Sequence, residues 1–332
     1  MTGYRPVRLA ILGLTLLLSP ALRGQEPGGS SGAFLERNAS APEASFGGIA
    51  LPFSNETSAI FRDGSSLTQL EHPTVVLSAS TYPDGQHLSG AGIGLPIGDD
   101  GGVSLGITSY SVGDYRAFTA DDRPIGTFSS SDIALSIGGG LSLGPASVGT
   151  TIRYLNSSLN GITGAGAGYA LDLSASLRFL YRIVVGGVLS NAAGEMTWSG
   201  ADVAREPLPW RLRLGGAYVV PFEERNALVR DDPSGRGEWR PLKPRSYLAT
   251  AIEGKFVRNG GDPVISLGIE WAPMADIPLG LRGGGGTDGD LGFGCSYAFG
   301  LEPLRSVRLD LSLRLDHDLG RVTEHASLTA GF

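Results

Sequence analysis

Between residues 307 and 315 every second side chain is aliphatic, Val307, Leu309, Leu311, Leu313 and Leu315, and the intervening positions hold Arg308, Asp310, Ser312 and Arg314, with Asp316 next. Period-two alternation of this kind defines a β-strand with one apolar and one polar face. A slip of one residue would turn the charges to the apolar side, and in a bilayer a basic residue at the midplane costs about 2–4 kcal/mol. The register is therefore fixed. After the turn at 318–321 a second strand follows, with Val322, Ala326, Leu328, Ala330 and Phe332 on one face and Thr323, His325, Ser327 and Thr329 on the other. A last strand closing on Phe332 is the kind of ending by which the assembly machinery of bacterial outer membranes takes up a barrel, so Phe332 is the expected assembly signal. An amphipathic hairpin in a soluble sandwich is the alternative.

The N-terminus separates the two. Arg5 and Arg8 precede an apolar run over 9–18, and small residues follow at 21–24. This reads as a secretory signal over 1–24, too short to span a bilayer as a helix. No later apolar stretch approaches the roughly 18–20 residues of a membrane helix, so an exported β-protein or a barrel is expected. The 51 Gly and 20 Pro agree with an all-β chain of many short strands. A net charge of −7 gives no reason to expect nucleic acid as a partner. The single Cys295 rules out an intramolecular disulfide framework.

From residue 73 onward the alternation recurs. Outward faces read as Val75, Leu77, Ala79; Ala91, Ile93, Leu95, Ile97; Val103, Leu105, Ile107; Ile133, Leu135, Ile137; Val148, Thr150, Ile152, Tyr154; and Leu171, Leu173, Ala175, Leu177. Later strands carry Leu212, Leu214, Tyr218, Val220; Ile265, Leu267, Ile269, Trp271; and Phe293, Cys295, Tyr297, Phe299. The expectation is an all-β fold: a transmembrane, antiparallel up-and-down β-barrel of about fourteen strands over 73–332. Arg153, Arg178, Arg211, Arg213, Arg282, Arg308 and Arg314 then face inward against Asp172, Glu253, Glu270, Asp310 and Asp316, giving a polar, salt-bridged lumen. Arginine at the inward Ser174 or Ser312 should be tolerated, and arginine at Leu173 or Leu311 should not. The stretches 110–130 and 191–207 read as surface loops. With both termini periplasmic, 221–245 reads as an extended, mobile, densely charged periplasmic insertion, the alternative being a different strand parity that would place it at the outer surface.

Catalytic and metal patterns are weak. Ser104 and Ser142 each sit in a G-x-S-x-G string, but a nucleophile elbow needs a strand-to-helix turn and these lie in strands. Asp316, His317 and Asp318 form the densest ligand-type cluster, at a strand-to-turn edge where solvated charges are normal. Glycines 283–286 lack the context of a phosphate loop and read as turn or small lumen-facing residues. No enzyme activity, metal or cofactor is expected.

The segment 41–50, with Phe46, Gly47 and Gly48, and the segment 58–67, with Phe61, Asp63, Gly64 and Ser65, resemble the start of the PorV/PorQ family of outer-membrane proteins, within the superfamily of the FadL-type long-chain fatty-acid transporter. Further landmarks are Leu208-Pro209, Leu214-Gly-Gly-Ala-Tyr218, Leu267-Gly-Ile-Glu-Trp271 and Leu319-Gly-Arg-Val-Thr-Glu-His-Ala-Ser-Leu328. The resemblance covers most of the mature chain. It departs at residues 63–67, where the family's Asn-Pro-Ala-Gly-Leu is replaced by Asp-Gly-Ser-Ser-Leu. It implies a fourteen-strand barrel whose N-terminal segment, 25–72, folds into the lumen as a plug, with Phe46, Gly47, Gly48, Phe53, Phe61, Asp63, Gly64 and Ser65 as plug or ligand residues. It also implies a passive, plug-gated conduit for small hydrophobic or amphipathic molecules, partnered by outer-membrane lipid. A PorV-like component of a protein secretion system is one alternative, and a secreted soluble all-β binding protein is another.

Overall fold

A computed structural model describes residues 31–50, 56–119, 121–160, 164–179, 182–199, 204–222, 226–229, 238–241, 246–258, 262–273, 278–301, 304–317 and 320–332. The signal segment 1–24 and Phe53 lie outside them. Fourteen antiparallel strands close into a barrel. In chain order they are β1 Thr74–Tyr82, β2 Gln86–Ile97, β3 Gly101–Phe118, β4 Pro124–Leu143, β5 Ala146–Asn160, β6 Gly164–Phe179, β7 Ile183–Ser199, β8 Arg211–Pro221, β9 Tyr247–Val257, β10 Val264–Ala272, β11 Leu279–Gly286, β12 Leu291–Leu301, β13 Leu304–Asp316 and β14 Arg321–Gly331. Each strand pairs with its chain neighbour, and β14 closes on β1 from Thr74↔Gly331 to Thr81↔Glu324. The Phe332 N–H donates to the Pro73 carbonyl at 3.0 Å, tying the last barrel strand to the start of the first at one rim.

Alternation fixes which face goes where. Leu105, Ile137, Ile152, Leu267, Phe293, Leu311 and Leu313 are exposed on the outer wall, while Ser104, Ser136, Arg153, Glu270, Asp310 and Ser312 are buried inside. Polar groups are thus kept off the lipid and gathered in the lumen, where most of the charged ones find partners across the wall. The expected inward charges pair across strands: Arg213 with Glu253 at 2.9 Å, and Arg282 with Glu270 at 2.9 Å and Asp310 at 2.8 Å. Arg153 pairs with Asp172 on the next strand.

Three expectations change. Residues 110–130 are no loop, because β3 and β4 run on as a paired hairpin to Phe118 and Pro124, their ladder shifting register beyond Val112. Outward apolar alternation stops where lipid stops, and the backbone ladder does not need it. Residues 191–207 are likewise strand, since β7 continues to Ser199 and pairs with a short strand, Ala204–Pro207. Inside 221–245 a two-stranded hairpin, Asn226–Val229 with Glu238–Pro241, replaces the expected extended segment.

The N-terminal segment lies within the barrel. It comprises a 3-10 turn Ala33–Glu36, helix α1 Ala41–Ser45, helix α2 Glu56–Phe61 and a second 3-10 turn Gly64–Gln69. Ser40 caps α1, its hydroxyl accepting from the Glu43 N–H at 3.3 Å, while the Glu43 carboxylate accepts from the Ala39 N–H at 3.1 Å.

Candidate functional site

The plug meets the wall at two floors of glycine. On β10 to β12 the turn after α1 lies so close that a β-carbon on Gly268 would come within 2.2 Å of the Phe46 ring, and one on Gly284 within 2.4 Å of the Phe46 carbonyl carbon. Gly47 and Gly48 turn the chain there with φ of 72° and 83°, a conformation that costs glycine little. Phe46 packs with Ile49, Ala217 and Ala251. The lumen-facing Gly284 thus gives part of the 283–286 run its reason: backbone needs the space.

The second floor lies on β3 to β5. Here Gly64 sits against Gly140 and Gly149, and Leu67 against Gly102. Asp63 caps the turn, its carboxylate accepting from the Ser65 N–H at 3.0 Å, the Ser65 hydroxyl at 2.7 Å and the Ser66 hydroxyl at 2.6 Å. The Ser65 N–H also donates to the Ser174 hydroxyl at 2.8 Å. Phe61 packs with Ile60, Leu67, Leu70 and Val76. The substituted motif at 63–67 is therefore the plug's anchor on this side. Ser174 is occupied by that anchor, so an arginine there would collide with it, against the tolerance expected from alternation alone.

Between the floors runs a buried ionic bridge. Glu43 faces the Arg62 guanidinium at 3.3 Å and that of Arg213 at 3.6 Å, and the Glu253 carboxylate accepts from the Ala50 N–H at 3.1 Å. Burial pushes the Arg62 guanidinium below its usual pKa, and Glu43 beside it pulls the other way. Glu43 thus links α1 to α2 and both to the wall.

An apolar chamber lies further along the strands that carry the second floor. Leu88, Tyr110, Ala134, Leu155, Ala170 and Met196, from six successive strands β2 to β7, form an arc with Leu208, and Phe34 of the plug fills it. Phe34 stacks on Tyr110 with ring centroids 6.4 Å apart. Beyond it the β3–β4 hairpin stacks Tyr115 on Phe128 at 5.7 Å. Arg37 lies over the rings of both Tyr82, at 4.5 Å, and Tyr110, at 4.7 Å, and donates to Gln86 at 2.8 Å. A cavity of about 40 Å³ adjoins Phe34, Leu35 and Leu88 on one side and Arg37, Arg153 and Arg211 on the other. A second, of about 150 Å³, is lined by Arg37, Tyr82, Arg213, Lys255, Arg314 and Thr323 among others.

Sequence reasoning missed this chamber. Its signal was a break in alternation: Leu155 follows Tyr154, and Met196 stands in a stretch read as loop. Of the serine strings, Ser104 is buried in β3, its hydroxyl 3.4 Å from the Ile60 carbonyl, and no strand-to-helix elbow surrounds it. Among the described residues no three His, Cys, Asp or Glu side chains are placed to hold a metal.

Fold and lumen together define a class, the antiparallel fourteen-strand β-barrel with an N-terminal segment packed inside it. Among solved structures the chain is similar to the Pseudomonas putida toluene transporter TodX (TM-score 0.56, 13% identity, 90% of this chain and 99% of that one). It is also similar to the CymD monoaromatic hydrocarbon channel (TM-score 0.53, 12% identity, 89% and 98%) and to a Pseudomonas aeruginosa FadL homologue (TM-score 0.52, 12% identity, 93% and 99%). No family model and no curated protein matches the sequence.

Proposed function

We propose that the chain is an outer-membrane protein, exported by a cleaved signal over 1–24, that acts as a plug-gated passive conduit for small hydrophobic or amphipathic molecules and performs no catalysis. The observation that carries this reading is the apolar arc around Phe34, contributed by six successive strands of the wall and Leu208. Binding sites for small molecules are concave, largely apolar and furnished with a few polar groups. The arc supplies the apolar surface, and Arg37 between two tyrosine rings supplies the polar one. An apolar body would take the place of Phe34, and an acidic or polar end would face Arg37. The fold supports the reading, because barrels similar to it in shape include a toluene transporter and monoaromatic hydrocarbon channels.

Uptake of radiolabelled toluene into cells and proteoliposomes tests it. Ala170→Trp and Leu155→Arg, which fill or charge the arc, should slow uptake at least several-fold and leave a heat-modifiable barrel. Uptake unchanged by both would overturn the reading. The narrower PorV/PorQ assignment rests on the sequence landmarks, several of which fall at the plug's two floors. Under it the protein serves a secretion system, and exported proteins should co-purify with the barrel.

A further inference from the structure

We propose that the larger lumen cavity binds a small oxyanion, inorganic phosphate being the simplest, between Arg37 and Lys255. It takes a different class of ligand from the apolar chamber and does not depend on the function proposed for that chamber. The plug and the strands β1, β8 to β10, β13 and β14 line it, together with Asp288 in the turn after β11. No residue of β2 to β7, the strands that build the chamber, does so. Tyr82 ends β1 and Val264 opens β10, so the cavity stands toward the rim opposite the one tied by Phe332 and Pro73. Its volume of about 150 Å³ is roughly ten times what a single water needs. It shares Glu36, Arg37, Arg213 and Lys255 with the smaller cavity, so these four stand where the two spaces meet.

The charges at that junction do not balance. The register sets Lys255 on β9 directly opposite Arg213 on β8, and both face the lumen. Like charges directly opposite on neighbouring strands are destabilising. Arg213 is answered by Glu253 at 2.9 Å and lies 3.6 Å from Glu43, which Arg62 shares. On its other side Lys255 is opposite Val264, which cannot answer a charge. Among the described residues Lys255 makes no hydrogen bond and no ion pair. Glu36, the acid of the junction, is taken by Arg211 at 2.7 Å. Arg37 has no carboxylate partner either: its guanidinium lies over the rings of Tyr82 and Tyr110 and donates to Gln86. A guanidinium carries five N–H donors, and the two rings fix the plane in which the others point. A planar fork and a mobile ammonium, both lacking a counter-charge and both bordering the same space, are the parts of an oxyanion site. A dianion would answer both cations and a monoanion only one, so phosphate and sulfate should bind more tightly than acetate.

The test is equilibrium dialysis of the full-length protein in detergent against radiolabelled phosphate, at low ionic strength and a pH where phosphate is mostly dianionic. The native protein should bind phosphate saturably, with sulfate competing well and acetate poorly. Lys255→Gln should weaken binding at least about tenfold, and Ala170→Trp in the apolar chamber should leave it unchanged. A native protein without saturable phosphate binding, or a folded Lys255→Gln protein that binds as the native one does, overturns the proposal. Should Lys255→Gln fail to assemble, Val264→Asp decides, because it places a carboxylate directly across the ladder from Lys255. Loss of phosphate binding in that folded variant supports the site, and unchanged binding overturns it. Toluene uptake reads the chamber and phosphate binding reads this cavity, so either reading can fail alone.

Discussion

Gly149 on β5 stands so close to Gly64 of the plug that a β-carbon on it would lie 2.1 Å from the Gly64 carbonyl carbon. Backbone meets backbone there, with no flexible side chain to yield. Gly149→Val should therefore expel the turn at 63–67 and leave the barrel intact, since valine suits a strand. Heat-modifiable mobility should persist, the N-terminal segment should become protease-sensitive, and conductance should rise above the native level.

Glu43 is the second hinge-pin of the plug, shared by Arg62 and Arg213. Glu43→Gln would leave two buried guanidinium groups facing one another, and removing one partner of a buried ionic network costs about 3–5 kcal/mol. Local opening of α1 should become at least about 100-fold more frequent. Hydrogen exchange of the amides over 39–48 measures it, and exchange elsewhere in the barrel should be unchanged.

Leu311 and Ser174 separate the two faces of the wall. Leu311→Arg places a cation on the exposed apolar face and should block assembly. Ser174→Arg should let the barrel assemble but displace Ser65, whose N–H donates to the Ser174 hydroxyl at 2.8 Å. Membrane fractionation reads the first outcome, and protease-sensitivity of the plug reads the second.

Arg37 tests the polar end of the chamber. Arg37→Leu keeps a long apolar stem and removes the charge held between Tyr82 and Tyr110. Uptake of an amphipathic acid such as benzoate should fall several-fold, and uptake of toluene should not. Equal loss for both would assign Arg37 to packing alone.

What the sequence revealed followed from lipid. Outward positions such as Leu105, Leu267 and Leu313 must be apolar, so their period of two exposed the strands and their register. Lumen positions face no single solvent, and their pattern is correspondingly irregular. Leu155 and Met196 look like defects in alternation because their partner is Phe34, more than a hundred residues away. Gly102, Gly140 and Gly149 carry no side chain from which a contact might be read, although each marks a place where plug backbone arrives. The hairpin beyond Val112 looked like loop because it leaves the apolar band, where hydropathy ceases to report on the ladder.

Strand β4 has twenty residues and β11, seven strands further round the closed sheet, has eight. At about 3.3 Å per residue and a tilt near 40°, the two sides rise roughly 50 Å and 20 Å. A bilayer cannot match both heights at constant thickness. Lipid tails beside β10 and β11 must shorten or splay, whereas those beside β3 to β7 keep their length and the excess wall stands clear of the membrane. The protein therefore prints a thin sector into the membrane around itself, and neighbouring barrels or lipids of different chain length will sort themselves by which side they meet.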